Sequence, residues 1–136
     1  MRATTCGCFD WQKDFGLPPT FIKGAVAASG MFDLKPVRLS ARSNYIKFTD
    51  EMEEKLSAQR HLDRLVVAVH LVYGTLETPE FRRQSSDFNG ALKAAGKSVA
   101  LSAMDGYNHF EVMERLGDPY SLFGRAILEQ MKLRPT

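Results

Sequence analysis

Ser98-Val99-Ala100-Leu101-Ser102-Ala103-Met104-Asp105-Gly106-Tyr107-Asn108-His109-Phe110-Glu111 is the stretch from which the fold is read. An apolar run with period-two character stops at Asp105-Gly106, a turn signal, and a helical pattern begins soon afterwards. His109 therefore lies where a strand ends and a helix starts. In an open α/β sheet, ligands and catalytic groups collect outside the carboxyl ends of the strands, which is where an imidazole can meet a substrate. The plainer alternative is a loop histidine that only packs against its neighbours, since a lone imidazole has no partner to activate it.

Upstream, Val66-Val67-Ala68-Val69-His70-Leu71-Val72-Tyr73 is the strongest strand signal, β-branched, nearly continuous and ended by Gly74. His70 inside it is expected as a core residue with a hydrogen bond. Thr78-Pro79-Glu80 supplies a cap, a first-turn proline and an acidic residue in the order that starts a helix. Phe81, Ser85, Phe88, Leu92 and Ala95 share one helical stripe, and Gly96 stands at the C′ position. Downstream, Asp118-Pro119 is expected to cap a closing helix whose apolar face holds Ile127, Leu128 and Met131. Two successive strand-then-helix units joined by short loops predict parallel strands and an α/β fold.

The region before these units is less regular. Ile22 to Ala28, bounded by Gly30, is a short run of small apolar residues that suits a strand covered on both faces. Met31 to Asn44 reads as an irregular excursion with at most a short helix, able to line a pocket. Thr49-Asp50-Glu51-Met52-Glu53-Glu54 gives a helix cap followed by acidic residues, read as a solvated helix start. The domain organisation is a weakly ordered connector over 1–19, closed by Gly16 and the double proline at 18 and 19, and one α/β unit over 20–136.

With 136 residues, of which 44% are hydrophobic and 25% charged, the chain has the composition of one globular domain. Eighteen basic and 16 acidic residues leave a net charge of +2 without a basic block, so no nucleic-acid or membrane partner is expected. No signal peptide and no membrane span is read, and the expected location is the cytoplasm. Cys6-Gly7-Cys8 has neither zinc-site spacing nor disulfide geometry, so two free thiols are expected, with no metal and no cofactor.

Glu77 closes the loop Gly74-Thr75-Leu76-Glu77 after one strand, and His109 lies in the loop after the next. Parallel neighbours bring both loops to one edge, where the carboxylate can accept the Nδ1 hydrogen of His109 and fix its tautomer. That is the acid and base portion of a triad.

Tyr73-Gly74-Thr75-Leu76-Glu77-Thr78-Pro79-Glu80-Phe81-Arg82-Arg83-Gln84, Gly106-Tyr107-Asn108-His109-Phe110-Glu111 and Ala28-Ser29-Gly30-Met31-Phe32-Asp33-Leu34 resemble the C-terminal half of the α/β-hydrolase family. Within it they are most similar to the esterase and kynurenine formamidase (arylformamidase) branch, over about Asp10 to Met131. The resemblance implies a partial α/β-hydrolase fold of about three parallel strands with flanking helices, its N-terminal half absent. It places His109 at the triad histidine and Glu77 at the triad acid, where the family often has Asp.

In chain order the family sets Gly-x-Ser-x-Gly and a His-Gly-Gly loop before the acid and the histidine, and this sequence contains neither. Ser29, in Ala-Ala-Ser-Gly, lacks the first glycine of that elbow and falls at the end of a later strand. The resemblance therefore implies a hydrolase of carboxylic esters or N-formyl amides that is inactive as this chain alone. Three readings stay open: a truncated hydrolase, one half of a split hydrolase completed by a partner chain, or a non-catalytic interaction module. Within the strand Ile22 to Ala28, Gly24-Ala25-Val26-Ala27-Ala28 carries no charge and no proline, so its open edge is expected to join a second copy or a complementary hydrolase half. A small ester or amide substrate is expected only for the completed protein.

Overall fold

The computed structural model describes residue 12 and residues 15–134. Cys6, Cys8 and most of the 1–19 connector lie outside the described residues. Among the described residues three strands form one parallel sheet: β1 (Gly24–Ala28), β2 (Ala68–Gly74) and β3 (Val99–Met104), in the order β1-β2-β3. The register sets Val26 beside His70 and His70 beside Ala100, with β2 at the centre. The α-helices with described bounds are α1 (Lys35–Arg38), α2 (Asp50–Leu56), α3 (Pro79–Ala94), α4 (His109–Glu114) and α5 (Leu122–Gln130).

Alternation along β2 sends successive side chains to opposite faces, and each face has its own core. Val69 and Leu71 join Ala27, Phe32, Ala58, Leu65, Phe88 and Leu92 on the face covered by α3. Phe32 and Phe88 stack there with ring centroids 4.2 Å apart. Val72 and Met104 join Val112, Phe123 and Ala126 on the face covered by α4 and α5. Val26 and Ala28 pack against this second cluster, whereas Ala25 and Ala27 belong to the first, so both faces of β1 are used.

Local chemistry explains the boundaries, and some differ from expectation. β2 starts at Ala68 rather than Val66: Val66 is 67% exposed, while Val67 packs against the first core cluster ahead of the strand. Ile22 and Lys23 likewise precede β1. Gly96 follows α3 with φ of +68°, the left-handed C′ conformation that releases a helix end. Thr78 precedes α3 but makes no side-chain cap, so proline at the first position carries that start. Ser121, not Asp118, caps α5 by accepting from the Gly124 amide at 2.9 Å, while Asp118 accepts from Tyr120. On the α3 stripe Ala95 is exposed, and Gln84, absent from the apolar pattern, is buried.

The excursion between β1 and β2 is better ordered than its sequence suggests. Gln84 Oε1 accepts from the amides of Phe32 and Asp33 at 2.6 and 2.8 Å, and Gln84 Nε2 donates to the Asp33 carbonyl at 3.0 Å. Ser57 Oγ accepts from the Leu34 amide at 3.0 Å. Thr49 caps α2 as expected, accepting from Met52 N at 3.1 Å. The acidic run that follows is not wholly solvated, however: Glu53 is buried between the guanidinium groups of Arg38 and Arg60, which both donate to it. These donors hold the Glu53 carboxyl below the usual carboxylate range, Arg60 contributing most and Arg38 next.

Candidate active site

The carboxyl ends of β1, β2 and β3 bring three side chains together: Ser29, Glu77 and His109. The loops after β2 and β3 are laced by their own backbones, Thr75 N–H donating to the Met104 carbonyl and Leu76 N–H to the Tyr107 carbonyl, each at 3.0 Å. Thr75 Oγ1 donates to Asp105 at 3.1 Å and accepts from the Gly106 amide at 2.9 Å. Gly74 permits this close approach, because a Cβ there would collide with the Tyr107 carbonyl and the Val112 side chain.

Glu77 and His109, the pair expected from the sequence, face each other across these loops. Glu77 Oε2 lies 3.3 Å from His109 Nδ1, at the long end of hydrogen-bond reach. The Glu77 side chain is 0% exposed and that of His109 is 37% exposed. A carboxylate without water must have its lone pairs met by the protein. Glu77 Oε1 accepts from the Gly74 amide at 2.8 Å and from the Ser29 hydroxyl. The imidazole stacks on Phe81 at the start of α3, with ring centroids 4.2 Å apart, and Phe110 meets it edge-on at 5.6 Å.

The position of His109 is fixed from below by the start of α4. Asn108 accepts from the Phe110 and Glu111 amides at 3.0 and 3.1 Å, and Glu111 Oε2 accepts from the Asn108 amide at 2.8 Å. This reciprocal capping box, legible in the spacing Asn108-x-x-Glu111, was not among the sequence expectations. Ser29 is the other residue that sequence reasoning passed over. Its sequence context speaks only to a nucleophile elbow, whereas in the structure its hydroxyl donates to Glu77. His70, expected as a core residue, is half-buried and pairs through Nε2 with Ser102 Oγ at 2.9 Å, away from this group.

The arrangement is an imidazole open to solvent on one side and backed by a buried, hydrogen-bonded carboxylate on the other. Such a pair can accept and return a proton at Nε2 while Nδ1 stays oriented.

No family model matches the chain. It is 30% identical over 127 residues to a kynurenine formamidase of Danio rerio, covering 90% of this chain and 43% of that one. The chain thus spans about two fifths of the length of that curated relative. A solved protein from Silicibacter sp. TM1040 superposes with a TM-score of 0.70 at 24% identity, over 82% of this chain and 42% of the other. Carboxyl esterase 2 of the fungus Tuber melanosporum gives a TM-score of 0.57 at 18% identity, over 94% of this chain and 47% of the esterase. The parallel sheet with helices on both faces, its partial coverage of these larger folds and the kinship with the formamidase agree with one another: the chain has part of an α/β-hydrolase fold and is kynurenine formamidase-like in sequence.

Proposed function

We propose that this chain carries the acid and base of an acyl hydrolase acting on carboxylic esters or N-formyl amides, with the nucleophile and the oxyanion donors supplied from outside its 136 residues. The observation that carries the reading is the approach of buried Glu77 Oε2 to His109 Nδ1 at 3.3 Å, at the carboxyl edge of a parallel sheet. In the completed site Glu77 accepts the Nδ1 hydrogen and fixes the tautomer. Nε2 then takes the proton of an attacking hydroxyl and returns it to the leaving group, while Glu77 stabilises the imidazolium between these steps. The amide arm is supported by the formamidase relative and the ester arm by the likeness to esterases.

Ser29 does not fill the nucleophile's place, because its hydroxyl proton goes to Glu77 and its side chain is buried. The purified chain is expected to hydrolyse neither p-nitrophenyl acetate nor N-formylkynurenine above buffer, and to resist labelling by a fluorophosphonate. Stoichiometric labelling of any serine would overturn this. In a reconstituted complex with a segment bearing Gly-x-Ser-x-Gly, His109→Ala is expected to remove about 10⁶-fold of kcat and Glu77→Ala about 10⁴-fold. A complex that assembles but stays silent would favour a non-catalytic interaction module.

The open edge of β1 is the proposed docking line for that segment. Among the described residues β1 pairs only with β2. The proposal also places this work in the cytoplasm; among the described residues no helix is long and apolar enough to cross a membrane. Cell fractionation that finds the protein in an extracytoplasmic compartment would remove that part of it.

A further inference from the structure

We propose that Ser29 is a positioning residue for the Glu77–His109 pair: with the Gly74 amide it holds one carboxylate oxygen so that the other stays aimed at Nδ1. The inference rests on the acid–base reading of that pair. A glutamate carries three rotatable side-chain bonds, and a buried carboxylate at its end keeps one orientation only if external donors hold it. Both fixed donors act on Oε1, the Gly74 amide at 2.8 Å and the Ser29 hydroxyl, which leaves Oε2 for the imidazole.

The backbone at Ser29 shows that the hydroxyl is placed at a cost. Ser29 has φ of +51°, a left-handed conformation that glycine adopts far more readily. Its amide still donates to the Val72 carbonyl at 2.8 Å, extending the β1–β2 ladder by one step and registering Ser29 beside the end of β2. Gln84 then clamps Phe32 and Asp33, so the turn after Ser29 is held from both sides. The turn tolerates glycine on conformational grounds, yet a serine stands there, buried, with its one proton on the acid.

Other charges around the imidazole are already engaged. Asp105 accepts from Thr75, Glu111 accepts from the Asn108 amide, and Arg82 Nη1 donates to the Thr75 carbonyl at 3.4 Å. The tautomer of His109 therefore reports chiefly on Glu77.

The test is the ¹⁵N spectrum of the His109 ring in the full chain, recorded at a pH where the imidazole is neutral. The wild type is expected to show the Nδ1–H tautomer and a protected Nδ1 proton. In Glu77→Gln, Ser29 and Gly74 keep the amide oxygen on their side, so the NH₂ faces Nδ1 and the ring switches to the Nε2–H tautomer. Ser29→Gly suits the positive φ and removes only the side chain. It and Ser29→Ala are expected to give a folded protein with mixed tautomers and no protected Nδ1 proton. If both serine variants fold and keep the wild-type signature, the positioning role is wrong while the acid–base pair survives. If Ser29→Gly fails to fold, the hydroxyl is a scaffold element and the role is equally overturned. If Glu77→Gln leaves the ring unchanged, the acid–base reading itself has failed.

Discussion

The Glu77 side chain is wholly buried, and a buried carboxylate is tolerable only because three donors meet it. The loops that deliver two of those donors can touch only because residue 74 has no side chain. Gly74→Ala would drive a methyl group into the Tyr107 carbonyl and Val112, so backbone must move at the point where the two loops are laced. We expect a loss of about 1–3 kcal/mol, the range for overpacking a tight site, and a longer Glu77–His109 distance. Urea denaturation of the variant checks the first; an unchanged midpoint would mean that the loops part without penalty. At this scale the sequence located Glu77 and His109 because both directly follow strong strand signals, and loops after parallel strands share an edge. It did not locate Ser29, because a serine reveals its partner only through register: one residue beyond Ala28, paired with Val72, puts it beside Gly74 and the loop holding Glu77.

The excursion between β1 and β2 supplies the clearest case at the level of elements. Helices α1 and α2 are short, and neither forms a stable helix alone at four and seven residues. What fixes them is Glu53, shared by Arg38 and Arg60, with Arg60 also meeting Glu54 at 2.6 Å and Arg38 meeting Asp50 at 2.9 Å. The Glu53 carboxyl is held below its ordinary value of 4.5, so its contribution is fully present above that value and is lost as pH falls through the lower, folded-state value. Acidification below pH 4.5 is therefore expected to raise amide exchange in the segment 33–60 before the sheet responds. Glu53→Gln should weaken that segment at neutral pH and flatten its acid response. Identical pH profiles in the two proteins would show that the arginines do not depend on this carboxylate. The sequence could not assign Glu53, since an acidic run at a helix start looks solvated until distant arginines are placed beside it. Signals confined to a few neighbouring residues were read correctly where one group alone decides, as with Thr49 and Gly96. They failed where a neighbour takes over, as with Ser121 in place of Asp118.

At the scale of the whole molecule, β1 is paired on one side and lies at the sheet's margin among the described residues. The Ser29 amide points to β2, and in a parallel ladder alternate residues turn both backbone groups to the same side. Ala25 and Ala27 thus share the side of Ser29, and Val26 and Ala28 turn their amides and carbonyls outward. Val26 is also packed against the cluster around Val72, so a charge at this position would damage the core as well as the edge. A cleaner probe is Ala28→Pro, which removes an outward donor and leaves the β1–β2 ladder intact. We expect the wild-type chain to self-associate or to capture a complementary hydrolase half, and Ala28→Pro to reduce either association while the far-ultraviolet circular dichroism stays the same. Light scattering coupled to size exclusion at tens of micromolar separates the outcomes. A dimer or larger species of the wild type that the proline variant loses assigns the contact to this edge. A compact wild-type monomer that ignores the complementary half would mean that the β1 edge is already satisfied, and that the proposed pair of Glu77 and His109 is not completed from that direction.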